Sequence, residues 1–147
     1  MKKAIIALIV IAALGGAYWY FIGTTPFAKH VDEQMSGGEV LRSGTFNEID
    51  RIHKGSGTAK IVEENGQHFL VLENFQVTNG PDLFIGLSPN TDISSGDSVG
   101  DYILLEPLKG NSGNQIYPIT KEQADNFNSA IIWCKRFGVL FSAAELA

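Results

Sequence analysis

The chain predicts an all-β fold, an antiparallel β-sandwich or flattened barrel, preceded by one N-terminal transmembrane helix. Three observations carry this expectation. Residues 4–22 hold no charge and follow Lys2 and Lys3. From Glu39 onward, short apolar runs rich in β-branched and aromatic residues are broken by turn residues every 8–12 positions or so. The long amphipathic helices that a parallel βαβ arrangement needs are missing from that pattern.

At 1.5 Å per residue, the uncharged stretch makes a helix of roughly 28 Å, close to the ~30 Å of a bilayer's hydrocarbon core. A cleavable signal peptide would end sooner, near Gly15-Gly16-Ala17. Tyr18-Trp19-Tyr20-Phe21 instead extends the stretch with the aromatics that favour a membrane interface. Residues 1–23 are therefore expected to be an uncleaved signal-anchor, with the membrane as partner through residues 4–22. The lysine pair favours the cytoplasmic side, which sends the remainder out of the cytoplasm. Residues 24–38, polar and ending in Ser36-Gly37-Gly38, are expected to be a linker, with a short helix conceivable over 28–35.

The β domain is expected over 39–147. Asn65-Gly66 between two apolar runs is a strong hairpin signal, because both residues tolerate the positive φ of a type I′ turn. Asn79-Gly80-Pro81-Asp82 marks a second turn before the strand over 83–87. A polar loop covers 89–100, and strands are expected over 102–106 and 115–119. Pro118 lacks an N–H, which requires the last of these to lie at an edge or to stop there. Thr120-Lys121-Glu122-Gln123 has capping-box spacing for a short helix ending near Phe127. The final apolar run, 129–141, is expected to be one strand. Its alternation puts Ile131, Trp133, Phe137, Val139 and Phe141 on one face, and Ala130, Ile132, Cys134, Arg136 and Leu140 on the other. The aromatic face is taken as core, leaving Cys134 on the more reachable side.

Removing Lys2 and Lys3 with the anchor takes the formal charge from −5 to about −7. No basic stripe stands out along the chain, which excludes nucleic acid as partner. No Gly-x-Ser-x-Gly elbow, His-Glu-x-x-His helix or phosphate-binding loop occurs. Cys134 is the one cysteine. In an oxidising compartment a spare thiol is buried, bonded or chemically employed. Arg136, two residues on, would favour the thiolate and act as its tuning group. His53, His68 and Cys134 supply three ligands of a blue-copper set only if the fold converges them. The loop from Asn90 to Asp101 spaces oxygen donors somewhat like a calcium loop, but its glycine and final acid depart from that pattern, and a solvated loop is expected.

Several blocks from about Leu41 onward closely resemble the DM13 domain, a family proposed to act in electron transfer at cell surfaces. They are Gly44-Thr45-Phe46, His53, Gly57-Thr58-Ala59, Leu72-Glu73-Asn74-Phe75, Asn79-Gly80-Pro81-Asp82-Leu83, Leu108-Lys109-Gly110, Gly113-Asn114-Gln115-Ile116-Tyr117 and Ile132-Trp133-Cys134-Lys135-Arg136-Phe137. The resemblance implies a β-rich extracytoplasmic module. It implies Cys134 as redox thiol or as ligand to haem or a metal, with His53 as companion ligand. The partner would be an unidentified redox or cell-envelope protein. The competing expectation is a non-enzymatic envelope binding or adhesion module, with Cys134 as packing and loops 89–100 and 108–113 as recognition elements.

Overall fold

The computed structural model describes residues 9–17 and 28–147. Residues 9–17 are helical (α1), while positions 4–8 and 18–22 of the expected membrane segment lie outside the described residues. Among the described residues no helix is long and apolar enough to cross a membrane.

The strands are β1 (His30–Asp32), β2 (Glu39–Thr45), β3 (Gly55–Glu64), β4 (Gln67–Val77), β5 (Leu83–Ser88), β6 (Ile103–Pro107), β7 (Ser112–Ile119), β8 (Ser129–Cys134) and β9 (Val139–Glu145), with helix α2 (Lys121–Asn126) before β8. They form two sheets, β1-β7-β4-β3-β2 and β6-β5-β8-β9. The architecture is a sandwich rather than a closed barrel. Its ladders are antiparallel except for the short pairing of β1 with β7.

Local chemistry explains the elements that sequence predicted. Asn65 (φ +53°) and Gly66 (φ +77°) close the β3–β4 hairpin in the left-handed region that a primed turn requires. Thr120 Oγ1 accepts from the Gln123 N–H at 3.1 Å while Gln123 Oε1 accepts from the Thr120 N–H at 2.9 Å, completing the capping box of α2. Pro118 lies inside β7, but β1 pairs only with Ser112, Gly113 and Asn114. At Pro118 one side of β7 is therefore an edge, and no ladder bond is lost there.

Two expectations are corrected. Residues 28–35 form no helix: His30–Asp32 is a strand on the edge of β7, set in what was read as linker. Residues 33–38 then run from β1 at one edge of the large sheet to β2 at the other, about 19 Å across four strand spacings. So short a connection stays nearly extended over the outer face, where Val62 and Val71 are buried. The second correction concerns the C-terminal run. It is a hairpin, because residues 135–138 turn the chain and Gly138 takes φ +62°. Phe137 makes the run nearly continuous in apolar character and so hides the turn in the sequence.

The core lies between the sheets. Leu70, Leu72, Phe75 and Tyr117 from the large sheet meet Ile85, Leu87, Ile132 and Cys134 from the small one. Each large apolar side chain buried there contributes about 1.5–3 kcal/mol. A second cluster covers the outer face of the small sheet, where Ile131, Trp133, Leu140 and Ala143 pack beneath Ile93 and Val99 of the 89–102 loop. One polar network enters the main core. Tyr117 Oη donates to Gln115 Oε1 at 2.6 Å and accepts from the Lys109 N–H at 3.0 Å, and Gln115 Nε2 donates to the Gly110 carbonyl at 2.8 Å. Burial pushes the Tyr117 phenol well above its ordinary range. Tyr117→Phe leaves two of these buried groups unpaired and should lower stability by about 1–3 kcal/mol, read from the urea unfolding midpoint at constant m.

Candidate functional site

Four loops meet at one end of the sandwich. β3 begins there at Gly55, β4 ends at Val77, β5 begins at Leu83, β7 begins at Ser112, β8 ends at Cys134 and β9 begins at Val139. Backbone bonds stitch the loops together. The Thr78 N–H donates to the Lys54 carbonyl at 3.0 Å, Val77 to Asn111 at 2.9 Å, Leu108 to Leu83 at 2.8 Å and Lys135 to Asp82 at 2.9 Å. A Cβ on Gly80 would stand 2.6 Å from Leu83 Cδ2 and 2.9 Å from Phe141 Cζ, so a larger residue here would have to displace these two core side chains. Gly80 to Leu83 with Pro107, Leu108, Gly110 and Asn111 line a shallow cavity of about 230 Å3.

Cys134 is the last residue of β8, with Leu83 and Val139 as ladder partners. Its carbonyl accepts from the Gly138 N–H at 2.9 Å, closing the turn. The side chain is 0 % exposed and belongs to the core between the sheets. This overturns the expected face assignment. On β8 the aromatic side is the outer one, where Trp133 is covered by Tyr102, ring centroids 4.7 Å apart, rather than by the opposing sheet, whereas Phe141 and Val139 of β9 pack into the core with Cys134. Arg136 is half-buried in the turn beyond the strand. Strand alternation therefore no longer places its guanidinium beside the sulfur.

His53 reaches the same end by another route. Its ring packs edge-on against Phe141, centroids 4.5 Å apart, and Phe141 shares the core cluster of Cys134. Its Nδ1 lies 2.6 Å from Asp50 Oδ2, and Asp50 Oδ1 accepts from the N–H groups of Ile52 at 2.8 Å and His53 at 2.7 Å. An ionised carboxylate only accepts, so Nδ1 carries a proton directed at Asp50. The bond from the His53 side chain, with the two backbone N–H groups, holds Asp50 at about 2. Sequence reasoning singled out His53 but not Asp50. The signal available was an Asp three residues before the histidine, the spacing of an Asx-type turn.

The remaining candidates do not join this site. His68 is 8 % exposed and lies toward the opposite end, paired with Ile119 in the ladder and 3.6 Å from Glu63. The copper set of His53, His68 and Cys134 therefore does not converge. Among the described residues no group of three or more His, Cys, Asp or Glu side chains could hold a metal. The buried Cys134 sulfur offers no open face to a haem, and the adjoining cavity falls below the ~300–1,000 Å3 usual for ligand sites. The residues present thus do not fit a haem or metal held through Cys134 with His53 as companion. In the 89–102 loop, Asn90 Nδ2 donates to the Ser98 carbonyl at 3.0 Å, and Ile93 and Val99 anchor the loop on the small sheet. Loops 89–100 and 108–113 belong to different ends of the sandwich and make no shared recognition surface. A further cavity, about 440 Å3, lies under residues 33–38 against Val62, Val71 and Glu73, on the outer face of the large sheet.

A β-sandwich with its single cysteine at the pole where its loops are stitched together is the class of domain defined here. The sequence profile described as Electron transfer DM13 matches residues 45–146. The chain belongs to that family, whose assigned role is electron transfer. Comparisons with curated proteins and with solved structures give no match. The family match begins at Thr45, so β1, the crossing residues 33–38 and nearly all of β2 lie outside it.

Two outcomes follow. Cys134→Ser buries a hydroxyl among apolar side chains and should lower stability by about 1–3 kcal/mol in urea unfolding. Asp50, depressed in the folded state, contributes stability that is fully present above the unfolded carboxylate pKa near 4 and is lost as pH falls through about 2. Asp50→Asn should therefore flatten the fall in unfolding midpoint across that window. An unchanged acid limb would show that the Asp50–His53 pair adds nothing.

Proposed function

We propose that the chain is an electron-transfer module tethered by residues 4–22 to a membrane, its β domain outside the cytoplasm, with Cys134 as a gated redox thiol. The observation that carries this reading is the position of the one thiol, at the last rung of both β8 ladders and one residue from an exposed turn. Parting the end pairs of β8 with β5 and β9 frees the sulfur without dismantling the sandwich, and local openings of that kind cost far less than global unfolding.

The chemistry is thiol–disulfide exchange with envelope proteins. The Cys134 thiolate attacks an acceptor disulfide, forming one S–S bond and releasing one acceptor thiolate, which takes a proton from water. A dithiol donor then attacks Cys134 Sγ, releases the second acceptor thiolate, and closes its own disulfide as Cys134 departs. Two electrons pass from donor to acceptor and the module returns unchanged. Closure of the turn keeps the thiol from side reactions between encounters.

Full burial of the sulfur favours one second reading, a binding or adhesion module in which Cys134 is core packing. Labelling kinetics of the native full chain with a maleimide separate the two. On the gated reading the rate saturates with reagent and exceeds the global unfolding rate. Gly138→Ala, which strains a turn residue at φ +62°, should then speed labelling about five-fold, since a left-handed alanine costs about 1 kcal/mol. Gly66→Ala carries similar strain at the opposite end (φ +77°), and a Cβ on either glycine meets no neighbour within 4 Å. The Gly66 variant should leave the labelling rate unchanged. Labelling that occurs only at the global unfolding rate would overturn the redox thiol and leave the packing reading.

A further inference from the structure

The fold gathers several basic side chains at one end of the domain. Lys29, Arg51, Lys54, Lys135 and Arg136 are scattered along the sequence but stand on the loops of the Cys134 pole. Lys29 is held there because its carbonyl accepts from the Asn111 N–H at 2.8 Å, and Lys54 because its carbonyl bonds Thr78. Lys135 and Arg136 form the β8–β9 turn. Acids are present at this pole too: Glu48 pairs with Lys54 at 3.4 Å, Asp50 with His53, and Asp82 lies beside Lys135. Glu106 stands one residue from the end of β6, and Lys109 of the β6–β7 loop is offset by Glu33 at 2.9 Å, which leaves the five cations facing four acids: a slightly basic balance in a domain that is acidic overall. The opposite pole gathers Glu39, Glu63, Glu64, Glu122, Asp125 and Glu145 against Arg42 and Lys121.

Two large apolar side chains project from the same basic pole. Ile52 is 70 % exposed at the tip of the loop that carries His53, and Phe137 is 53 % exposed in the turn after Cys134. Both flank the site through the His53–Phe141 contact and the β8–β9 ladder. Water is a poor environment for either tip, and cations beside apolar side chains are what a lipid headgroup region accommodates.

The way the chain enters the domain decides which surface they face. β1 runs parallel to β7 from His30 beside Ser112, so the domain's first residues lie at the Cys134 pole. Between Ile22, the end of the uncharged stretch, and Ala28 a fully extended chain reaches at most about 21 Å. With residues 4–22 in a bilayer, the basic pole is confined to that distance from its surface. The acidic pole lies at the far end of the sandwich from that surface.

We propose that the Cys134 pole docks on the surface of the membrane that anchors the chain, with Arg51, Lys135 and their basic neighbours on anionic headgroups and Ile52 and Phe137 entering the interface. This inference rests on the tether reading above. It makes the gated thiol face reactants at the bilayer surface rather than in the open compartment.

Hydrogen exchange of the full chain, reconstituted in nanodiscs of phosphatidylcholine or of phosphatidylcholine with phosphatidylglycerol, tests it, with alkaline carbonate extraction of the same chain from vesicles as a second readout. Docking predicts exchange at residues 49–54 and 135–138 about three-fold or more slower with phosphatidylglycerol, reversed by about 0.5 M salt, on the order expected for several cations at an anionic surface. The β3–β4 hairpin at 64–67 should not change. Arg51→Glu with Lys135→Glu, and separately Ile52→Ser with Phe137→Ser, should each restore the faster exchange while α2 and the core keep their protection. A carbonate-resistant chain with equal exchange in both lipids overturns the docking and leaves the tether standing. A chain that carbonate extracts overturns both.

Discussion

Burial of β8 on both faces is the constraint on which the rest of this structure depends. All six residues from Ser129 to Cys134 are buried. Ala130, Ile132 and Cys134 press against the large sheet, while Ile131 and Trp133 are roofed by Ile93, Val99 and Tyr102. A strand held in this way cannot slip by one register without exchanging its two apolar faces, which fit different surroundings. Its last residue is therefore fixed at the pole, and so is the sulfur.

The pole is assembled from loops distant in sequence that are tied by main-chain bonds rather than by side-chain contacts alone. Each of the bonds from Thr78, Val77, Leu108 and Lys135 satisfies a group that would otherwise be left unpaired where strands end. Gly80 permits the close approach of Leu83 and Phe141, and Phe141 in turn supports the His53 ring. The Asp50 carboxylate completes the arrangement by fixing the tautomer and orientation of that ring. The result is a frame of main-chain bonds around one short turn.

Residues outside the family match shape this frame as well. β1 caps the exposed edge of β7 at its first three residues, and Glu33 extends that hold. Glu33 accepts from Lys109 Nζ at 2.9 and 3.0 Å and from the Ile116 N–H at 2.7 Å. Burial raises the Glu33 pKa, but the Lys109 and Ile116 bonds outweigh it and hold the carboxyl below its ordinary value. The crossing residues 33–38 then cover Val62 and Val71, which would otherwise leave an apolar face of the sheet in water. The segment that links the domain to its expected anchor is thus part of the fold from Ala28 onward.

Much of the fold was legible in the sequence, because the relevant chemistry is local. Asn65-Gly66 specifies its turn by the φ values it tolerates, Thr120 and Gln123 cap α2 by reach alone, and Pro118 is confined to an edge by its missing N–H. Alternating β-rich runs without crossover helices sufficed for an antiparallel sandwich or flattened barrel, and the two separate sheets decide for the sandwich. The face of Cys134 was not legible, because both faces of β8 are apolar and alternation cannot tell an inner core from an outer one roofed by a loop some thirty residues away. Residues 135–138 were read through as strand, since Phe137 hides a turn that only Gly138 marks. The gathering of basic side chains at one pole, the pairing of β1 with β7 and the meeting of His53 with Phe141 are long-range consequences of how two sheets stack. Their causes lie in surfaces that exist only once the chain has folded.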